Sequence, residues 1–208
     1  MTDDREKKRD VTTMDTTVLH WEWRTFGACF GAADATFAAL EPELVEESDE
    51  VYLLSPRTAA GVKIRAGRME IKELERVDEA SLEQWWLAMS EPFPLPLDAA
   101  NGVCAALGVT ALSPGQGALS LDELLAALAA PERGVRSVGV HKLRLHYTVN
   151  GCRSEVAEVV VEGETTRTLA IEATDAAKVT AAMQELGLSG RENVSYPRWL
   201  KAVVGMNA

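Results

Sequence analysis

The chain has 208 residues, 47% of them hydrophobic, and a formal net charge of -11. This length and composition fit most simply a single globular domain with an ample core. The chain has 32 acidic and 21 basic residues. This excess of acidic residues argues against general binding to nucleic acid or to an anionic membrane. Any anion site must therefore be local and enclosed.

The N-terminal segment and the cysteines indicate a cytoplasmic protein. Residues 1–17 are charged and Thr-rich, which predicts a disordered lead-in, and they lack the apolar core of a signal peptide. Cys29, Cys104 and Cys152 are odd in number and far apart, which favours reduced thiols over a disulfide framework or a zinc site. The sequence has no apolar run of membrane-spanning length.

The first part of the chain predicts two strands and a helix. Residues 18–26 alternate, with His20, Glu22 and Arg24 on one face. A helix is predicted over 27–40 and a second strand over 49–54. The acidic run Glu41–Glu50 is interpreted most simply as a solvated loop.

Residues 61–72 alternate apolar and charged side chains with a period of two. Lys63 and Arg65 would share one strand face, and Glu70 and Lys72 would share a face after the break at Ala66-Gly67. In an acidic chain, cations concentrated on strand faces predict an anion site, with phosphate as the first candidate.

The middle of the chain predicts a small helical insertion over about 81–132. Ser81 and Gln84 have capping-box spacing and predict a helix from Ser81 to Met89. Two more helices are predicted near 98–107 and 121–130, the latter beginning after Ser120.

Strands return after the insertion. The pattern predicts consecutive antiparallel strands over 136–149, 152–161 and 166–173, the first two joined by the hairpin dipeptide Asn150-Gly151. Helices are predicted over 175–186 and in the tail, 193–204.

Acidic and basic side chains both alternate in phase along these strands, so they share strand faces. Lys142, Arg144 and His146 form a second basic run. A barrel enclosing both sets could bind a polyphosphate through Lys and Arg, with carboxylates holding a divalent ion against it. An open sheet with one solvated charged face would show the same alternation. The cations are Arg24, Lys63, Arg65, Lys72, Lys142 and Arg144; the anions are Glu22, Glu70, Glu155 or Glu158, and Glu172.

The order of these motifs resembles the CYTH domain family, the triphosphate tunnel metalloenzymes, over about 18–204. That family opens with an E-x-E-x-K strand, continues with basic strands and ends with an E-x-E strand and an "SY" helix. The matching segments are His20 to Arg24, Lys63-Ile64-Arg65, Ile71-Lys72, Lys142-Leu143-Arg144, Glu155 to Glu158, Ala170-Ile171-Glu172 and Val194-Ser195-Tyr196.

The resemblance implies an α+β fold: a closed antiparallel β-tunnel of about eight strands, with peripheral helices and the helical insertion, as one domain over 18–204. It also implies that Arg198 or Lys201 on the last helix could reach the tunnel mouth. By the same resemblance, Arg24, Lys63, Arg65, Lys72, Lys142 and Arg144 would bind the triphosphate; Glu22, Glu155 or Glu158, and Glu172 would hold Mg²⁺ or Mn²⁺; and Glu22, Glu172 and Lys72 would be catalytic.

Three positions depart from the family pattern. His20 and Ala170 stand where the family has glutamates, and Arg24 stands where it has lysine. Because Mg²⁺ prefers oxygen ligands, His20 is a poor substitute for a carboxylate. The sequence therefore predicts a divalent-metal-dependent hydrolase of inorganic or organic triphosphates, with a non-catalytic polyphosphate- or nucleotide-binding module of the same fold as the alternative.

Overall fold

Eight antiparallel strands close into a barrel. The computed structural model describes residues 18–113 and 117–206, so the predicted lead-in, 1–17, lies outside the described residues. Around the barrel the strand order is β1-β5-β4-β3-β2-β6-β7-β8, which confirms the predicted closed tunnel. The strands are β1 (His20–Phe26), β2 (Leu44–Leu54), β3 (Gly61–Arg65), β4 (Arg68–Val77), β5 (Glu83–Pro92), β6 (Arg136–Val149), β7 (Cys152–Val161) and β8 (Glu164–Ala173).

Within the described residues, five helices lie around and inside this barrel. Two of them lie between β5 and β6, so the helical insertion begins only after β5. Ser120 begins the second, as predicted, and forms a capping box in which its side chain accepts from the backbone N–H of Glu123. None of the described helices is long and apolar enough to cross a membrane. The helices are α1 (Ala32–Ala38), α2 (Leu97–Ala106), α3 (Leu121–Leu128), α4 (Ala176–Glu185) and α5 (Tyr196–Val203).

The helix predicted from Ser81 to Met89 is wrong, because this segment forms most of β5. Ser81 lies in the turn that joins β4 to β5, and Gln84 is already part of β5. In this turn the carboxylate of Asp78 accepts hydrogen bonds from the backbone N–H groups of Ala80 and Leu82. Ser81 itself has a positive φ of 63°, which a helix N-cap does not adopt.

The solvated loop predicted for Glu41–Glu50 is also wrong over most of its length. Residues from Leu44 onward belong to β2, which pairs with β6 along all of its 11 residues. Alternation along β2 turns Glu46, Ser48 and Glu50 toward the barrel interior. The acidic run therefore supplies interior carboxylates.

The helices cover the outer faces of two parts of the barrel. The insertion packs on β3 and β4, where Val62 and Met69 share a core with Val103 and Leu124. Helices α1 and α4 pack on β1 and β8 in a second core that contains Trp23 and Ile171. With their apolar side chains buried outside, these strands turn their polar side chains inward.

The barrel interior has an apolar half and a polar half. Helix α5 fills the apolar half, where Leu200 is fully buried among residues such as Val138 and Val159. Farther along the same strands the inward side chains become charged, with Lys142 on β6 and Glu155 on β7. The polar half is where the six predicted phosphate-binding cations meet.

Candidate anion site in the tunnel

Glu50 lies at the centre of the deepest group of charges. Its side chain has 0% exposure, and its carboxylate contacts Lys142 Nζ at 2.8 Å, Lys63 Nζ at 3.3 Å and the guanidinium of Arg144. Burial alone would raise the pKa of Glu50, but the charges of Lys63, Lys142 and Arg144 outweigh burial and hold it well below its ordinary value. Glu50 is therefore ionised and contacts three basic side chains, of which Lys63 and Lys142 have pKa values that burial lowers.

Arg24 organises a second group on β1. Its Nε lies 2.9 Å from Glu22, and its Nη1 lies 3.0 Å from Glu155. Burial would raise the pKa of Glu155, yet Arg24, Arg144 and Lys142 lower it to about 2. The side-chain oxygen of Asn193 accepts from the backbone N–H of Arg24 at 2.7 Å, which ties β1 to the segment before α5.

A third group lies on β3 and β4. Arg65 contacts Glu70 at 3.0 Å, and Lys63 reaches the same carboxylate at 3.5 Å. Lys72 Nζ lies 3.8 Å from Glu22, which connects this group to β1. The side chains of Arg65 and Lys72 are about one-third exposed, at 32% and 30%, so a ligand can reach both from outside.

Glu172 lies at the rim between β1, β7 and β8. It contacts Arg153 at 2.8 Å and His20 at 3.4 Å. Burial would raise its pKa, but Lys72, His20 and Arg153 lower it well below the ordinary value. His20 thus lies beside Glu172, which the family resemblance implies is a metal ligand.

Tyr196 forms the boundary between the polar half and the apolar half. Its ring centroid lies 3.7 Å from Lys142 Nζ and 4.6 Å from the guanidinium carbon of Arg24. Cations over aromatic rings are stabilised by the negative face of the ring. Tyr196, the tyrosine of the "SY" motif, therefore stabilises two of the predicted phosphate-binding cations through the face of its ring.

All six predicted phosphate-binding cations lie in the polar half, and each has a carboxylate within 4 Å. Arg144, for example, contacts Glu46 at 2.8 Å and Glu155 at 3.8 Å in addition to Glu50. The site in this state is a self-paired ionic network. Its cations are Arg24, Lys63, Arg65, Lys72, Lys142 and Arg144.

The predicted metal ligands do not form a metal-binding group in this arrangement. Glu22, Glu155 and Glu172 are each engaged by cations, and Glu158 is exposed, in opposite phase to Glu155 on β7. Among residues 18–113 and 117–206, no three His, Cys, Asp or Glu side chains come together as metal ligands. As placed, these carboxylates neutralise cations of the tunnel, so a bound Mg²⁺ or Mn²⁺ would have to replace those ion pairs.

Neither basic residue proposed on the last helix contacts the charged network. Lys201 donates to the backbone carbonyl of Thr58, and Arg198 contacts Glu192 and the carbonyl of Asn193. Both side chains are used to hold α5 and the segment before it against neighbouring loops.

Sequence reasoning missed several acids of the site, above all Glu50. The available signal was the alternation Glu46-x-Ser48-x-Glu50-x-Tyr52, which matches the alternation of the basic strands. Glu83 on β5 was missed because its segment was predicted to be helical. It pairs in register with Glu22, and burial together with the Glu22 charge raises its pKa.

Comparison with known proteins supports the fold class that these features define, a closed antiparallel β-tunnel with peripheral helices. No family model and no curated protein sequence matches the chain. Among solved structures, a conserved hypothetical protein from Pyrococcus furiosus matches with a TM-score of 0.51 and 20% identity, over 86% of this chain and 98% of that one. A putative adenylyl cyclase from Hippeastrum, described as having a dominant triphosphatase activity, matches with a TM-score of 0.51 and 11% identity, over 91% of this chain and 97% of that one.

Proposed function

We propose that the polar half of the tunnel binds the phosphate chain of a triphosphate or a short polyphosphate. The observation that carries this proposal is the convergence of six Lys and Arg side chains from β1, β3, β4 and β6 in the polar half of the barrel. Guanidinium groups match phosphate oxygens in a bidentate geometry, and ammonium groups add point charges. A chain of phosphates can contact more of these cations at once than a single phosphate can.

Titration calorimetry with tripolyphosphate tests this proposal. Arg65→Ala should weaken binding about tenfold, because it removes an accessible charged donor. Arg167→Ala is the matched control, since Arg167 lies on β8 but contacts Asp34 of α1 at 2.9 Å. Equal effects of the two substitutions, or no binding by the unaltered protein, would refute the proposal.

Divalent-metal-dependent hydrolysis of the bound triphosphate is the second candidate function. One observation favours it: Glu22 and Glu172 are paired in register on β1 and β8, so two carboxylates are neighbours on the inner face. Phosphoryl transfer depends mainly on positioning and charge stabilisation, which the surrounding cations, including Lys72, can supply.

Phosphate release separates the two candidates. Tripolyphosphate, ATP and thiamine triphosphate are incubated with the protein and Mg²⁺ or Mn²⁺, and Glu172→Gln should abolish any release that occurs. Tripolyphosphate binding without release from any of the three substrates would leave the tunnel as a binding module.

A further inference from the structure

Glu50 occupies the position at which an anionic ligand would meet the deepest cations of the tunnel. Three cations from β3 and β6 surround its carboxylate, and the side chain has no exposed surface. None of the motifs matched in the sequence includes Glu50, and the proposed function assigns it no role. Basic side chains surround Glu50 as they would surround a bound anion, but here the anion is a side chain of the protein itself.

We propose that Glu50 is an internal counter-anion that competes with the ligand for Lys63, Lys142 and Arg144. This inference rests on the proposed phosphate-binding function, and it identifies Glu50 as a residue that sets the affinity of the tunnel for its ligand. A phosphate group that approaches these cations meets the negative charge of Glu50 only a few ångströms away. Its attraction to the three cations is reduced accordingly.

The network around Glu50 favours a ligand with several phosphates over a single phosphate. Lys142 also donates to Tyr52 Oη at 2.8 Å, and Arg144 also contacts Glu46 at 2.8 Å, so both side chains already have partners other than Glu50. A short anion gains little by disturbing them. A longer phosphate chain can reach Arg65 and Lys72 at the more exposed end as well.

The test compares two substitutions on the same strand. Glu50→Gln removes the central charge and keeps the shape of the side chain. Glu47→Gln removes the same charge from the outer face of β2, where the side chain is 70% exposed and contacts His141. By calorimetry with tripolyphosphate, Glu50→Gln should bind about tenfold more tightly than the unaltered protein, and Glu47→Gln should bind within about twofold of it.

Glu50→Gln alone removes one partner of a buried ion pair, which is destabilising and can prevent folding. A double variant that removes one charge of each sign provides a second comparison. The double variant Glu50→Gln/Lys142→Met should bind tripolyphosphate more tightly than Lys142→Met alone. Equal or weaker binding after loss of Glu50, in either comparison, would overturn the role of Glu50 while leaving the proposed function intact. Absence of binding by every form, including the unaltered protein, would overturn the proposed function itself.

Discussion

At the scale of single residues, the two buried tyrosines of the tunnel have opposite hydrogen-bonding situations. Tyr52 Oη accepts from Lys142 Nζ at 2.8 Å. Tyr196 Oη is buried and has no hydrogen-bond partner among the described residues. A buried polar group without a partner lowers stability, whereas a satisfied one contributes to it.

This contrast predicts opposite effects of removing the two hydroxyl groups. Tyr196→Phe should raise the free energy of unfolding by about 1 kcal/mol, because it removes an unpaired polar atom and keeps the ring beneath Lys142. Tyr52→Phe should lower it by about 1 kcal/mol, because it removes an acceptor of that lysine. Urea denaturation measures both, and a loss of stability in Tyr196→Phe would contradict the prediction.

The residues of the site show which part of it was predictable. Alternation placed Lys63 and Arg65 on one strand face and Lys142 and Arg144 on another, and the family resemblance implied that these faces point inward. The structure brings these side chains together. Alternation does not report which carboxylate neutralises which cation. Glu50 and Lys142 are 92 positions apart, so their contact depends on the pairing of β2 with β6, for which the local sequence carries no signal.

At the scale of elements, α5 is the part of the fold that closes the tunnel. The helix and its C-terminal cap present Tyr196, Leu200 and Val204 to the interior and keep Val203 41% exposed. Helix α5 therefore closes the polar half of the tunnel at the side of the apolar half.

Truncating the buried face of α5 should destabilise the whole barrel. Leu200→Ala should cost about 2–5 kcal/mol, because Leu200 is fully buried and its loss leaves a cavity. Val203→Ala on the same helix should change stability by less than about 0.5 kcal/mol. Thermal and urea unfolding compare the two, and similar losses would show that α5 does not pack as described.

The misassigned element, β5, shows why period-based prediction failed there. Its pairing with β4 is interrupted by register shifts near Ile71/Lys72 and Leu74/Arg76. An irregularity of this kind inserts a residue and breaks the period-two pattern. The Ser-x-x-Gln spacing, which runs from the preceding turn into β5, matched the spacing of a helix N-terminus.

At the scale of the whole molecule, the interior network couples stability to pH. Glu155 has a pKa of about 2 in the folded protein against 4.5 for the ordinary group, and the pKa values of Glu46, Glu50 and Glu172 are also lowered. Below about pH 4.5 the unfolded chain binds protons that the folded chain does not. Stability contributed by these carboxylates is therefore complete above about pH 4.5 and is lost as the pH falls toward about 2.

Acid titration of stability is the corresponding prediction. The free energy of unfolding, measured by urea denaturation at a series of pH values, should fall steadily from about pH 4.5 to about 2, with up to about 3 kcal/mol of the loss due to Glu155. Glu83 acts in the opposite direction, since its pKa is raised, but it is one group against several. Glu155→Gln should be less stable at neutral pH and should show a shallower decline in acid, because one of the titrating carboxylates is gone. A stability that stays constant or rises between about pH 4.5 and 2.5 would mean that the inward carboxylates are not paired with the tunnel cations in solution.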